Sequence, residues 1–167
     1  GGVKFDGAVY TTVHGPQPTT EGEALYTAGD AGWEVRKGDK PVDMKTVWKG
    51  YKFEDGHVVF MYDLKAGDAV INVEEQPEVT AIEGDKVTLE RAFHAHGIPN
   101  GMTVRLNFGE PKKDYVEKVQ VAGSPDAAIS DGHGESMNAI QLLNDKTVGL
   151  IMHIRIPDAG HAKKEGA

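Results

Sequence analysis

Hydrophobic positions along this chain recur mainly every second residue, in short runs rich in Val, Ile, Thr, Phe and Tyr. Such alternation marks half-buried β-strands, whose side chains point to opposite faces in turn. The pattern is sharpest from Thr46 onward. Thr46–Glu54 and His57–Leu64 flank Asp55-Gly56, a pair that favours a tight hairpin turn. A second return at Lys65-Ala66-Gly67-Asp68 leads into Ala69–Val73. After Gln76-Pro77 a separate strand is expected at Val79–Ile82, then a turn at Glu83-Gly84-Asp85 and a strand over Val87–His96. Beyond the loop 97–101, Met102–Phe108 places Val104, Leu106 and Phe108 on one face. Val116–Val121 turns Val119 and Val121 inward, with Lys118 and Gln120 outward. In Thr147–Ile156, residues Val148, Leu150, Met152, Ile154 and Ile156 share one face.

Ser136–Leu143 precedes that last strand, joined to it by Asn144-Asp145-Lys146. Met137, Ile140 and Leu143 are spaced by three, so a short helix over Glu135–Asn144 competes with a strand, and a final hairpin fits its neighbour better. The first third is less regular. One or two strands are expected within Val3–Val13, and short ones at Ala24–Thr27 and Trp33–Arg36, around a turn at Gly29–Gly32. Thr11–Gly22, with Pro16 and Pro18, reads as a loop, as do Lys37–Pro41 and the small-residue stretch Ala122–Gly134. The sum is an all-β chain of about ten to twelve strands. Sequential hairpins favour a single antiparallel β-sandwich over residues 1–160, with an irregular N-terminal arm over about 1–45 and a disordered tail at 161–167. A closed barrel is the second choice.

Length and charge narrow the function. The 167 residues fit one domain with its own core. With 18 Lys plus Arg against 26 Asp plus Glu, the net charge of −8 argues against broad nucleic-acid binding. No apolar stretch is long enough for a membrane-spanning helix. There is no Cys, which excludes thiol catalysis, Cys-based zinc sites and covalent haem attachment through CxxCH. The start at Gly1-Gly2-Val3 reads as a processed or excised product. Neither GxSxG, a Walker loop nor HExxH is present, and Glu74 and Glu75, adjacent on a strand, must face opposite ways. The balance leans against an enzyme.

Two constellations carry candidate chemistry. His94 and His96 lie two apart on a strand, so their imidazoles share a face at about 7 Å between Cα atoms. Glu90 falls on that face and His153 on the polar face of another strand. Together they form a candidate set for Zn²⁺ or Cu²⁺, the only cofactors the chain suggests. An ordinary polar strand face is the simpler reading of the same residues. Asp126–Glu135 has too sparse an alternation of oxygen ligands for a calcium loop. The aromatic residues Trp33, Trp48, Tyr51 and Tyr62 are the candidate ligand-binding set, a platform for pyranose rings, though large aromatics more often fill cores.

One longer pattern stands out. Trp48–Tyr62 (WKGYKFEDGHVVFMY), then Val70–Gln76 (VINVEEQ), then Val87–Phe93 (VTLERAF), resembles β-sandwich modules of large bacterial periplasmic proteins. Those modules commonly accompany c-type cytochrome domains or sugar-dehydrogenase-like propellers. The resemblance spans about residues 46–108 and rests on strand and turn chemistry. It implies a non-catalytic accessory subunit, periplasmic or extracellular, docked on a larger redox partner. A carbohydrate-binding module and a His-based metal-binding domain or metalloenzyme are the alternatives.

Overall fold

The computed structural model describes residues 2–4, 19–21, 32–108, 114–130 and 137–156. Its strands are β1(Gly2–Lys4), β2(Thr19–Glu21), β3(Gly32–Lys37), β4(Lys40–Val42), β5(Met44–Glu54), β6(His57–Ala66), β7(Ala69–Glu83), β8(Lys86–His96), β9(Met102–Asn107), β10(Val116–Ala122), β11(Ala128–Ser130), β12(Met137–Leu142) and β13(Thr147–Arg155). All pairings between these strands are antiparallel; a single parallel bridge joins Ala95 and Asn144. One sheet has six strands in the order β10-β13-β8-β7-β6-β5, and a second has five in the order β11-β12-β9-β3-β4. The short pair β1-β2 stands apart. The two main sheets do not close into a barrel, and the architecture is the expected sandwich.

The period-two pattern explains the core. Leu64, Ile71, Val73, Phe93, Val148 and Leu150 face inward from the larger sheet. Val35, Val104, Leu106, Ile140 and Leu142 meet them from the smaller one. Trp33 locks the layers together, its ring 5.7 Å from those of both Tyr62 and Phe93. Asp55 and Gly56 both adopt positive φ, 50° and 85°, the geometry of the hairpin turn that the Asp-Gly pair predicts.

Several elements differ from the sequence reading. Val79–Ile82 is the end of the 15-residue strand β7, which runs through Pro77. Pairing of β6 with β7 ends at Phe60↔Glu75, so the missing proline N–H faces a side where no ladder continues. The strand expected at Trp33–Arg36 forms as β3, and Lys40–Val42 adds β4 beside it in the smaller sheet rather than an irregular arm. Val35 is fully buried there and Lys37–Lys40 closes a hairpin rather than a loop. Thr19–Glu21 pairs with Gly2–Lys4, where composition suggests a loop, because threonines after a proline favour extended backbone. Ala128–Ser130 adds a strand inside the expected Ala122–Gly134 loop. Met137–Leu142 is the strand preferred over a helix, but it pairs with β9 in the smaller sheet while Thr147–Arg155 pairs with β8 in the larger, so the two do not form the expected final hairpin. The expectations for Ala24–Thr27 and the tail 161–167 lie outside the described residues.

The two sheets differ in length, and that difference shapes the surface. Strand β7 spans about 50 Å at about 3.3 Å per residue, while the six-residue strands of the smaller sheet span about 20 Å. The β7–β8 hairpin therefore runs on past the row of Phe93, while β5 flanks that row at the sheet edge. At the opposite end the chain crosses between the sheets at Leu143–Lys146. The Asp145 N–H donates to the Ala95 carbonyl at 2.8 Å, and the Ile98 N–H to Asn144 Oδ1 at 2.9 Å.

Candidate functional site

Three features could carry function. The first is the outward face of β6, β7 and β8. Cross-strand pairing puts Glu74 opposite His94 and Asn72 opposite His96, so the two histidines do share a face. Each is already engaged or apart from further ligands. His96 Nδ1 contacts Asp145 Oδ1, and Asn72 Nδ2 donates to Asp63 Oδ1 at 2.7 Å. Lys52 Nζ donates to Glu74 Oε1 at 2.9 Å and approaches Glu54 Oε2 at 3.0 Å; these hydrogen bonds, Glu74 first, raise the Lys52 pKa. The other two members of the metal set lie farther along the sheet. Glu90, opposite Ile151, lies where its carboxylate would be 2.8 Å from a Cβ on Gly149, so it rests on that bare backbone. His153, opposite Thr88, has Nε2 2.8 Å from Gln120 Oε1. Among the described residues no three His, Asp or Glu side chains gather where one metal ion would sit.

The second feature lies on the core-facing side of the larger sheet, along its edge strand β5 and toward the end of β7. Register places Trp48 opposite Tyr62, Tyr51 opposite Phe60 and Phe53 opposite Val58, all on that inner face. A bulge between Trp48 and Gly50 absorbs Lys49 and keeps the three aromatics aligned. A second bulge between Val79 and Ala81 does the same for Val79 and Ile82, opposite Leu89 and Val87. These side chains point inward, yet no layer of the described residues covers them: Trp48 is 59% exposed, Tyr51 62%, Phe53 72%, Val79 51% and Ile82 72%. Trp48 rests on Phe60 and Tyr51 on Phe53, with ring centroids 5.7 and 5.8 Å apart.

The proposed aromatic platform is thus split. Trp48 and Tyr51 are exposed together, whereas Trp33 is half-buried between the sheets and Tyr62 is buried, so neither can present a ring to a ligand. Phe53, Val79 and Ile82 escape a sequence reading, since inward alternation is the signature of a core position. For Val79 and Ile82 the length of β7 was the available signal; Phe53 is open because β5 ends the sheet, which no local pattern shows.

The third feature sits where covered core meets uncovered face. Glu75 is buried; Tyr62 Oη donates to its Oε2 at 3.0 Å and Arg91 Nε to its Oε1 at 2.7 Å. The Arg91 guanidinium also stacks 5.0 Å above the Phe93 ring. Glu74 faces the other way, as adjacency on a strand requires. Burial first, then the neighbouring Glu75 carboxylate, pushes the Tyr62 phenol well above its ordinary pKa of 10.0. A raised folded-state pKa gives stability that is whole below the unfolded value and lost as pH rises above it. Wild-type protein should therefore lose about 1.4 kcal/mol per pH unit above about pH 10 that Tyr62→Phe does not lose. Urea unfolding at pH 9, 10 and 11 checks this, and parallel pH dependence in both proteins would refute it.

No family model, curated protein or solved structure matches the chain in comparisons with each. Among the described residues no helix is long and apolar enough to cross a membrane. What fold and surface define is an antiparallel β-sandwich with one apolar face left open.

Proposed function

We propose that this chain is a non-catalytic β-sandwich module that joins a larger assembly through the uncovered inner face of its larger sheet. The observation that carries the reading is the open row Trp48, Tyr51, Phe53, Val79 and Ile82 on one face. Contiguous exposed apolar surface of this kind marks an interaction site more often than chance exposure. The resemblance over residues 46–108 supplies the setting: an accessory subunit of a periplasmic or extracellular, cytochrome-containing assembly.

A carbohydrate-binding reading draws on Trp48 and Tyr51, which stand exposed together. Their neighbours favour protein instead. Val79 and Ile82 offer no hydrogen bonds to sugar hydroxyls, and the Glu75 carboxylate is already held by Tyr62 and Arg91. The test places a photo-crosslinking amino acid at position 53 and, as control, at the exposed outer position 118, in cells of the source. The expected result is an adduct of discrete mass from position 53 alone. Absence of an adduct from 53, or the same adducts from both positions, overturns the reading. Saturable quenching of Trp48 fluorescence by an oligosaccharide, without any adduct, would replace it with the sugar-binding one.

A further inference from the structure

We infer that the uncovered face seats a second copy of this chain, so that the module enters its assembly as a two-fold pair with the open stretches of β5 and β7 stacked face to face. This rests on reading that face as a protein-binding surface, and it names the occupant.

Area is the first argument. Trp48, Tyr51, Phe53, Val79, Ile82 and Ile156, each at least half exposed, together leave on the order of 700 Å² open. That exceeds the largest apolar patch of a typical monomer, about 300–600 Å². It approaches the roughly 800 Å² per partner of a standard stable interface.

Shape is the second. Within the chain the inner face of the larger sheet is buried over β13, at Val148, Leu150, Met152 and Ile154, and open along the edge strand β5 and toward the end of β7. Packed sheets lie about 10 Å apart, the thickness of the missing layer. The same open stretches of a second copy have the thickness and apolar inner face that would continue the layer, and a two-fold axis lets each copy complete the other.

Charge is the third. Although the chain carries −8 net charge, the open face is neutral among the described residues. Its one carboxylate, Glu75, is paired with Arg91 on the same face. Glu54, Glu78, Glu83 and Glu90 alternate to the outer side. A basic partner would be met by acids on the contact face; a like copy needs their absence there. Strand β5 is the sheet edge beside the patch, and Lys45, Lys49 and Lys52 along it discourage edge-to-edge pairing. Stacking through the face is the association left open.

Sedimentation equilibrium on the full chain tests this. Wild type at about 10 μM is expected at twice the chain mass, since well-packed interfaces of this size are micromolar or tighter. Added salt should strengthen the pair by screening the −8 charge of each copy. Phe53→Lys and Ile82→Asp should each weaken association at least tenfold while leaving the circular dichroism spectrum and urea midpoint of the monomer unchanged, because both side chains are 72% exposed. Val70→Lys, exposed on the opposite face, should leave the dimer intact. A dimer that survives both Phe53→Lys and Ile82→Asp, or that Val70→Lys dissolves, overturns the inference. So does a wild type that stays monomeric at about 100 μM, above the range such interfaces span. The position-53 crosslink then separates the two ideas. A monomer crosslinked to a different protein keeps the proposed function and loses the second copy. A monomer with no crosslink loses both, and one whose Trp48 resists acrylamide quenching assigns the face to a segment of the same chain, which also overturns both.

Discussion

Phe93→Ala should lower the free energy of unfolding by about 3–5 kcal/mol, the cost of deleting a large, fully buried aromatic and leaving a cavity. Phe93 is the largest side chain in the core with no exposure at all. Trp33 of the smaller sheet meets its ring edge-on, so the deletion also removes a contact that ties the two layers together. A loss of that size is a large part of the 5–15 kcal/mol that holds a typical domain folded. Phe53→Ala, on the same face but 72% exposed, should shift stability by under about 0.5 kcal/mol in dilute solution. Urea denaturation of both variants at one protein concentration decides the matter. Similar losses for Phe93→Ala and Phe53→Ala would mean that the smaller sheet does not cover Phe93, and the division into covered and open halves would fall.

Arg91→Met should cost about 2–3 kcal/mol. It strands the Glu75 carboxylate in the core with only the Tyr62 hydroxyl to satisfy it. The figure sits below that for a fully buried pair because the Arg91 side chain is 30% exposed and Glu75 11%, so water already screens the cation. Adding Glu75→Gln to Arg91→Met should recover about half of the loss, since a neutral amide can keep the Tyr62 hydrogen bond without an unpaired charge. The double-mutant cycle measures the coupling directly. Additive losses would show that Glu75 and Arg91 do not act as a pair. The same pair keeps the open face neutral, so Arg91→Met should also weaken self-association more than the equally conservative Lys45→Met on the outer side.

How much of this was legible before folding is uneven. The paired turn residues Asp55-Gly56 set the β5–β6 register, and alternation correctly assigned Val104, Leu106, Val148 and Leu150 to the core. The shared face of His94 and His96 follows from the two-residue period alone. Metal binding did not follow, because a ligand set depends on which strands lie side by side. Glu90 and His153 sit along the same sheet but at other rows of the ladder. Pro77 misled in the other direction. A proline suggests a strand boundary, but here the neighbouring strand had already ended its pairing.

Local chemistry therefore sufficed for strands, turns and the choice of face for each side chain. Those properties depend on neighbours within a few residues, where steric and hydrogen-bonding preferences act. Coverage of a face is a different kind of property. Phe53 and Phe93 both occupy inward positions of alternating strands, and nothing near either in sequence separates them. Phe93 is sealed by Trp33, sixty residues earlier, while Phe53 lies on the edge strand β5, one row from the level of Phe93 and 72% exposed. Whether an inward side chain becomes core or contact surface was settled by the unequal reach of the two layers, which exists only once distant strands have packed.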